Sequence, residues 1–181
     1  DEPVYIGFGS MVSGDMGELA EIIRQAVKLS GVRAVVALGW GQQEAKTKDA
    51  NIFYVKSVPH DWLFPHMAGA VHHGGAGTTA TSLRHALPTL VVPFGGDQQF
   101  WAERVYAARC GPKAIPRDKL TAENLAEGLR ALISNPEYTR NAACIGEALR
   151  NEHGCANAAD LIEKAVWDWE NGNPAQDGMN I

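Results

Sequence analysis

The sequence predicts an α/β fold, a doubly wound parallel sheet of about six strands with helices on both faces. Two observations predict it. Short apolar, β-rich runs alternate with helix-length stretches, the pattern of successive strand–helix–strand units. The runs at 4–8, 70–72 and 89–92 lead into turns bearing Gly9-Ser10, Gly74-Gly75 and Gly95-Gly96-Asp97. In an all-parallel sheet the carboxyl ends of the strands share one edge, where such folds bind ligands, so these three turns are expected to meet there.

Composition narrows the function classes. With 181 residues, 45% of them hydrophobic, the chain is long enough for one full core. A net charge of -5 without a local Lys/Arg cluster gives no footprint for nucleic acid. No apolar run approaches the ~20 residues of a membrane-spanning helix, and no signal peptide is evident. Cys110, Cys144 and Cys155 are odd in number and lack a CxxC spacing, which suits free thiols in a reducing compartment and a cytoplasmic location. The opening Asp1-Glu2-Pro3, without Met and directly before a strand, is expected of a piece of a longer protein. One domain is expected over 1–170 and a disordered, Gly/Asn/Pro-rich tail over 171–181.

In order, the run 4–8 predicts a buried strand. The helix after Ser13-Gly14-Asp15 turns Leu19, Ile22, Ile23, Ala26 and Val27 to one face. Residues 34–38 form a second strand, 42–51 a surface loop or frayed helix, and 52–55 a third strand. A turn over 57–60 precedes a short helix at 61–64. The fourth strand, 70–72, leads through the glycines to a helix over 79–85, which Pro88 ends before the fifth strand, 89–92. A helix runs from Gln98 to about residue 108, and a sixth strand is expected near 113–115. Thr121 caps a helix with Leu125, Leu129, Leu132 and Ile133 inward, and Asn135-Pro136 opens the next. Ala158, Leu161, Ile162, Ala165, Val166 and Trp169 form a terminal amphipathic stripe.

The chemistry centres on His73-Gly74-Gly75-Ala76-Gly77-Thr78. Backbone N–H groups near Ala76 and Gly77, the Thr78 hydroxyl and the His73 imidazole can together hold a diphosphate at a helix N-terminus. A glycine turn that merely brings a helix close to the sheet is the competing account. The segment is neither a dinucleotide fingerprint nor a Walker loop. His72 and His73 point to opposite faces, so at most one meets a ligand. His66 and the histidine pair lack a third ligand at metal spacing, so no metal site is expected. Asp97 and Gln98, a carboxylate beside an amide, can serve vicinal sugar hydroxyls, although Asp97 is equally a helix cap. Ser10 suits a phosphate or sugar contact as well as an ordinary turn. His60 and Trp62 suit a base contact, with Trp62 equally a core aromatic.

Four motifs in this order, Gly7-Phe8-Gly9-Ser10-Met11, Val58 to Pro65, His72 to Thr79, and Pro93-Phe94-Gly95-Gly96-Asp97-Gln98-Gln99-Phe100-Trp101, resemble the donor-binding half of GT-B glycosyltransferases that use UDP-sugars, above all sterol 3-β-glucosyltransferases. The resemblance spans 4 to about 169 and implies a Rossmann-like domain, one half of a GT-B fold. It implies that His73 contacts the diphosphate while Ala76, Gly77 and Thr78 supply donors to the phosphates. Asp97 and Gln98 would hold the glucose hydroxyls, Ser57, Val58 and His60 would line base and ribose, and Ser10 would approach the diphosphate-sugar. Where plant relatives place a stacking tryptophan and a ribose-binding glutamate, this chain has Ser57 and Thr81. The catalytic histidine and acceptor pocket of the family lie in an N-terminal domain, so no catalytic residue is expected in this chain. UDP-glucose is the implied donor substrate, with no cofactor or metal. A sterol is the implied acceptor, reached through the other domain, and peripheral membrane contact belongs to the full-length protein. A non-catalytic nucleotide-sugar module, or an enzyme acting on another lipid or an antibiotic-like acceptor, are the alternatives.

Overall fold

A computed structural model of the chain describes residues 2–9, 16–37 and 49–172. By contacts it divides into two units, Asp1–Leu149 and Arg150–Ile181. In the first, the described residues form a five-stranded parallel sheet: β1 (Val4–Gly7), β2 (Ala34–Ala37), β3 (Ile52–Val55), β4 (Gly69–His72) and β5 (Thr89–Val91), in the order β3-β2-β1-β4-β5. The centre is β1, with Val4 level with Ala34 on one side and Gly69 on the other. Order and direction are those of a doubly wound sheet, whose switch point lies between β1 and β4.

Alternation along the strands divides the core between the two faces. Val4, Ile6, Val36, Val71 and Leu90 point to one side, where helix α1 (Met16–Ser30) brings Leu19, Ile23 and Val27 and helix α5 (Ala122–Ser134) brings Leu125, Leu129 and Leu132. Tyr5, Val35 and Ala70 point to the other, onto Leu63 of the short helix α2 (His60–Leu63) and Phe64 of the following 3₁₀ turn, Phe64–His66. On that same side Val91 meets Leu83 of helix α3 (Ala76–Arg84) and Ala102 and Val105 of helix α4 (Gln98–Ala107). Burying a leucine such as Leu129 contributes on the order of 2 kcal/mol.

Thr121 caps α5 as its sequence predicts, in a reciprocal box with Asn124: the Asn124 N–H donates to Thr121 Oγ1 at 3.3 Å, and the Thr121 N–H donates to Asn124 Oδ1 at 2.9 Å. Ile133, expected inward, is instead exposed. It lies in the last turn of α5, one residue before the helix ends at Ser134. The sixth strand expected near 113–115 does not form. The Ile115 N–H donates to the Val91 carbonyl and the Arg117 N–H to Pro93, each at 3.1 Å, so the segment runs beside β5. Pro116 lies between these two bonds, and the pairing ends where the backbone enters the 3₁₀ turn Arg117–Lys119. Helix α3 begins at Ala76, three residues before the expected start, directly after the glycine pair.

Helix α6 (Pro136–Arg150) opens at the expected proline. The second unit contains helix α7 (Gly154–Glu170), which carries the predicted stripe, with Leu161, Ile162, Val166 and Trp169 exposed. Among the described residues no helix is long and apolar enough to cross a membrane. Ser10, most of the segment expected as loop or frayed helix over 42–51, and the expected tail from 173 onward lie outside the described residues.

Candidate functional site

At the carboxyl ends of β1, β2 and β4 the surface opens into a cleft of about 260 Å³. Its floor is Tyr5, Gly7 and Gly9 from β1 and the turn after it, with Ala37 from β2. One wall is the segment after β3, with Lys56, Ser57, Val58 and His60. The other is His73 after β4 and Thr78 in the first turn of α3. The strand-end turns after β1 and β4 therefore do share one edge.

The histidine pair splits as strand alternation requires. His72, the last residue of β4, is fully buried, and its Nδ1 accepts the Gly74 N–H at 3.0 Å. Burial, with the neighbouring His73 and His60, pushes its imidazole down to about 3, so it stays neutral and can keep accepting. Gly74 takes a positive φ of 88°, and a Cβ there would lie 2.6 Å from Val91 Cγ1. Only glycine fits that turn. His73 is half-buried at the cleft wall. Its pKa is lowered chiefly by burial, against the opposing pull of the Asp97 carboxylate, and its Nδ1 is buried with no partner among the described residues. A Cβ on Gly75 would lie 2.6 Å from His73 Nε2, so a bare backbone at Gly75 is what lets the ring lie there.

Gly75 is the N-cap of α3 and makes no side-chain capping bond. The first intrahelical donor is the Thr79 N–H, to the Gly75 carbonyl at 2.9 Å, so the preceding N–H groups at Ala76, Gly77 and Thr78 are open helix-terminal donors. Ala76 and Gly77 are exposed and Thr78 is half-buried. An uncapped helix start beside an imidazole and a hydroxyl is suited to an anion.

Asp97 and Gln98 stand at the start of α4, after β5, and neither lines the cleft. Asp97 is the N-cap by position, yet its carboxylate accepts the Trp101 Nε1–H at 3.0 Å and caps no backbone N–H. It is exposed, and it is near enough to His73 to influence that ring's charge. Gln98 is buried; its Oε1 accepts the N–H groups of Phe94 at 2.7 Å and Gly95 at 3.2 Å, bracing the turn that carries Asp97. The amide oxygen that sequence reasoning aimed at a sugar is thus committed to the backbone. Trp62 is exposed, edge-on to His66, and is no core aromatic. Among the described residues no group of three His, Cys, Asp or Glu side chains is placed to hold a metal ion.

Sequence reasoning missed Tyr5, Ala37 and Lys56 as cleft residues. The signal for Tyr5 was present: one phenol in an otherwise aliphatic central strand, whose buried hydroxyl needs a partner. It has one, His60 Nε2 at 3.0 Å.

The site can be set beside known proteins. Sterol 3-beta-glucosyltransferase UGT80B1 of Arabidopsis thaliana is 43% identical over 164 residues, covering 90% of this chain and 26% of that protein. A sterol 3-beta-glucosyltransferase of Cryptococcus neoformans is 39% identical over 173 residues, covering 88% of this chain and 11% of that protein. This chain therefore spans about a quarter or less of those relatives. Among solved structures, glycosyltransferase VinC in complex with DTDP superposes with a TM-score of 0.69 at 27% identity, covering 83% of this chain and 38% of that one. Residues 21–162 match the family model described as erythromycin biosynthesis protein CIII-like, C-terminal domain. With four-fifths of its length in that match, the chain belongs to this C-terminal-domain family of glycosyltransferases.

Proposed function

We propose that this chain is the donor-binding half of an inverting glycosyltransferase that moves glucose from UDP-glucose to a sterol 3-hydroxyl. The observation that carries the reading is the convergence of His73, Thr78 and the open N-terminus of α3 on one side of a cleft whose other side is Ser57, Val58 and His60. A diphosphate fits the first side, since amide donors and a helix dipole stabilise its charge without a metal. A nucleoside fits the second. The names of the relatives support a sterol acceptor and a glucosyl donor, and the diphosphonucleotide bound to VinC supports the class of ligand.

In the proposed reaction an acceptor hydroxyl, deprotonated by a base outside this chain, attacks the anomeric carbon; the bond to the diphosphate breaks and UDP leaves with inversion. Here His73 and Ala76–Thr78 stabilise the leaving diphosphate. Asp97 takes a glucose hydroxyl, with Gln98 holding the turn that presents it, and Ser10 approaches the diphosphate-sugar. No cofactor is needed, and the protein acts in the cytoplasm or at its membranes. The family name also favours a second acceptor class, an antibiotic-like aglycone, on the same donor site. The test is calorimetric titration with UDP, UDP-glucose and TDP-glucose. UDP-glucose is expected to bind more tightly than UDP in the wild type, with the advantage lost in Asp97→Ala. Equal affinities for UDP and UDP-glucose, unchanged by Asp97→Ala, would remove the sugar assignment.

A further inference from the structure

The floor of the cleft holds an interaction that the diphosphate assignment does not use. Tyr5 is almost fully buried in the central strand, and its ring lies along the sheet over Gly7, two residues on and on the same face. A Cβ at Gly7 would overlap the Tyr5 hydroxyl, so the glycine is what makes room for it. From there the hydroxyl reaches His60 Nε2 at 3.0 Å, joining β1 to the segment after β3 that carries Ser57 and Val58. His60 is clamped by its surroundings: its ring stacks on Phe64 at 4.5 Å and 15°, while Tyr5 meets it edge-on at 5.2 Å and 76°.

The direction of this bond follows from the groups present. Burial raises the Tyr5 phenol to about 12, so it keeps its proton. Burial lowers the His60 imidazole, favouring the neutral ring. A neutral imidazole has one lone pair and one N–H. If Nε2 carried the hydrogen, the buried phenol proton would have no acceptor, at the cost of an unmade hydrogen bond. With the phenol donating to Nε2, the hydroxyl and Nε2 are both satisfied and the hydrogen of the ring moves to Nδ1.

We propose that Tyr5 is a positioning residue of the donor cleft. Its hydroxyl donates to His60 Nε2 and fixes His60 as the Nδ1–H tautomer. One oriented N–H donor then faces an acceptor oxygen of a nucleoside diphosphate in the cleft. The inference rests on the donor-cleft reading above and adds to it the residue that sets the orientation of His60.

The test combines two readouts on this chain with UDP as the probe. Long-range ¹H–¹⁵N spectra of the imidazoles at neutral pH should place the His60 hydrogen on Nδ1 in the wild type and show mixed tautomers in Tyr5→Phe. Tyr5→Phe should weaken UDP binding about tenfold, the scale of one well-placed hydrogen bond. In a His60→Ala background the same substitution should cost nothing further, since Tyr5 acts through His60. An Nε2–H tautomer in the wild type, unchanged UDP affinity in Tyr5→Phe, or full additivity of the two substitutions would each overturn the inference while leaving the donor site standing. Failure of the folded wild type to bind UDP would instead remove the donor-site reading, and this inference with it. Should Tyr5→Phe not fold, the wild-type tautomer decides: Nδ1–H supports the inference and Nε2–H overturns it.

Discussion

At the residue scale, the two adjacent histidines at the end of β4 have opposite work to do, and each is testable by substitution. His72 accepts the Gly74 N–H from full burial, with its pKa lowered from 6.5 to about 3. The unfolded chain therefore binds a proton at this position that the folded chain refuses between those values. Stability from this group is complete above pH 6.5 and falls as the pH drops toward 3, by up to about 1.4 kcal/mol per pH unit. His72→Asn keeps an acceptor for the Gly74 N–H without the titration, so unfolding titrations from pH 7 to 4 should show a shallower acid limb. Parallel limbs would contradict the account. His73 faces the cleft, and His73→Ala should weaken UDP binding about tenfold, the loss of one hydrogen bond to a charged group. Asp97→Ala should leave UDP binding nearly unchanged; the reverse ranking would move the diphosphate away from His73.

The same scale shows why part of the site was legible in the sequence and part was not. His73 and Thr78 flank glycines between a strand and a helix, and that local grammar fixes their place at a strand end. Gln98 follows the same grammar, yet its side chain is buried, and there its amide oxygen finds its donors in the Phe94 and Gly95 N–H groups. Tyr5 stood out as a phenol in an aliphatic strand, but its partner lies 55 residues away, and no local pattern records that pairing.

At the element scale, the glycine turn between β4 and α3 couples fold and site. Gly74→Ala would force a side chain into a positive φ and against Val91, and it should cost more than about 1 kcal/mol while also weakening UDP binding. Leu129→Ala in α5 supplies the control: the leucine is fully buried on the opposite face of the sheet, so about 3 kcal/mol of stability should be lost with UDP affinity of the folded fraction retained. Chemical denaturation beside UDP titration separates the two. A Leu129→Ala variant that loses affinity as Gly74→Ala does would show that the turn is not specifically coupled to the site. The helix stripes and strand runs were readable because their periodicity is set by burial. The expected sixth strand failed on a finer point: after two bonds alongside β5 the backbone enters the 3₁₀ turn Arg117–Lys119.

At the scale of the whole molecule, a sheet ordered β3-β2-β1-β4-β5 places its switch point between β1 and β4, and the cleft opens there, over Gly7, Gly9 and His73. Topology thus explains why segments as distant in sequence as Tyr5, Ser57 and Thr78 line one cleft. The central claim is that this cleft binds a nucleoside diphosphate, and calorimetric titration of the folded chain with UDP tests it most directly. The account predicts saturable one-to-one binding that His73→Ala weakens. A folded chain that gives no binding heat and no rise in melting temperature with UDP would contradict it.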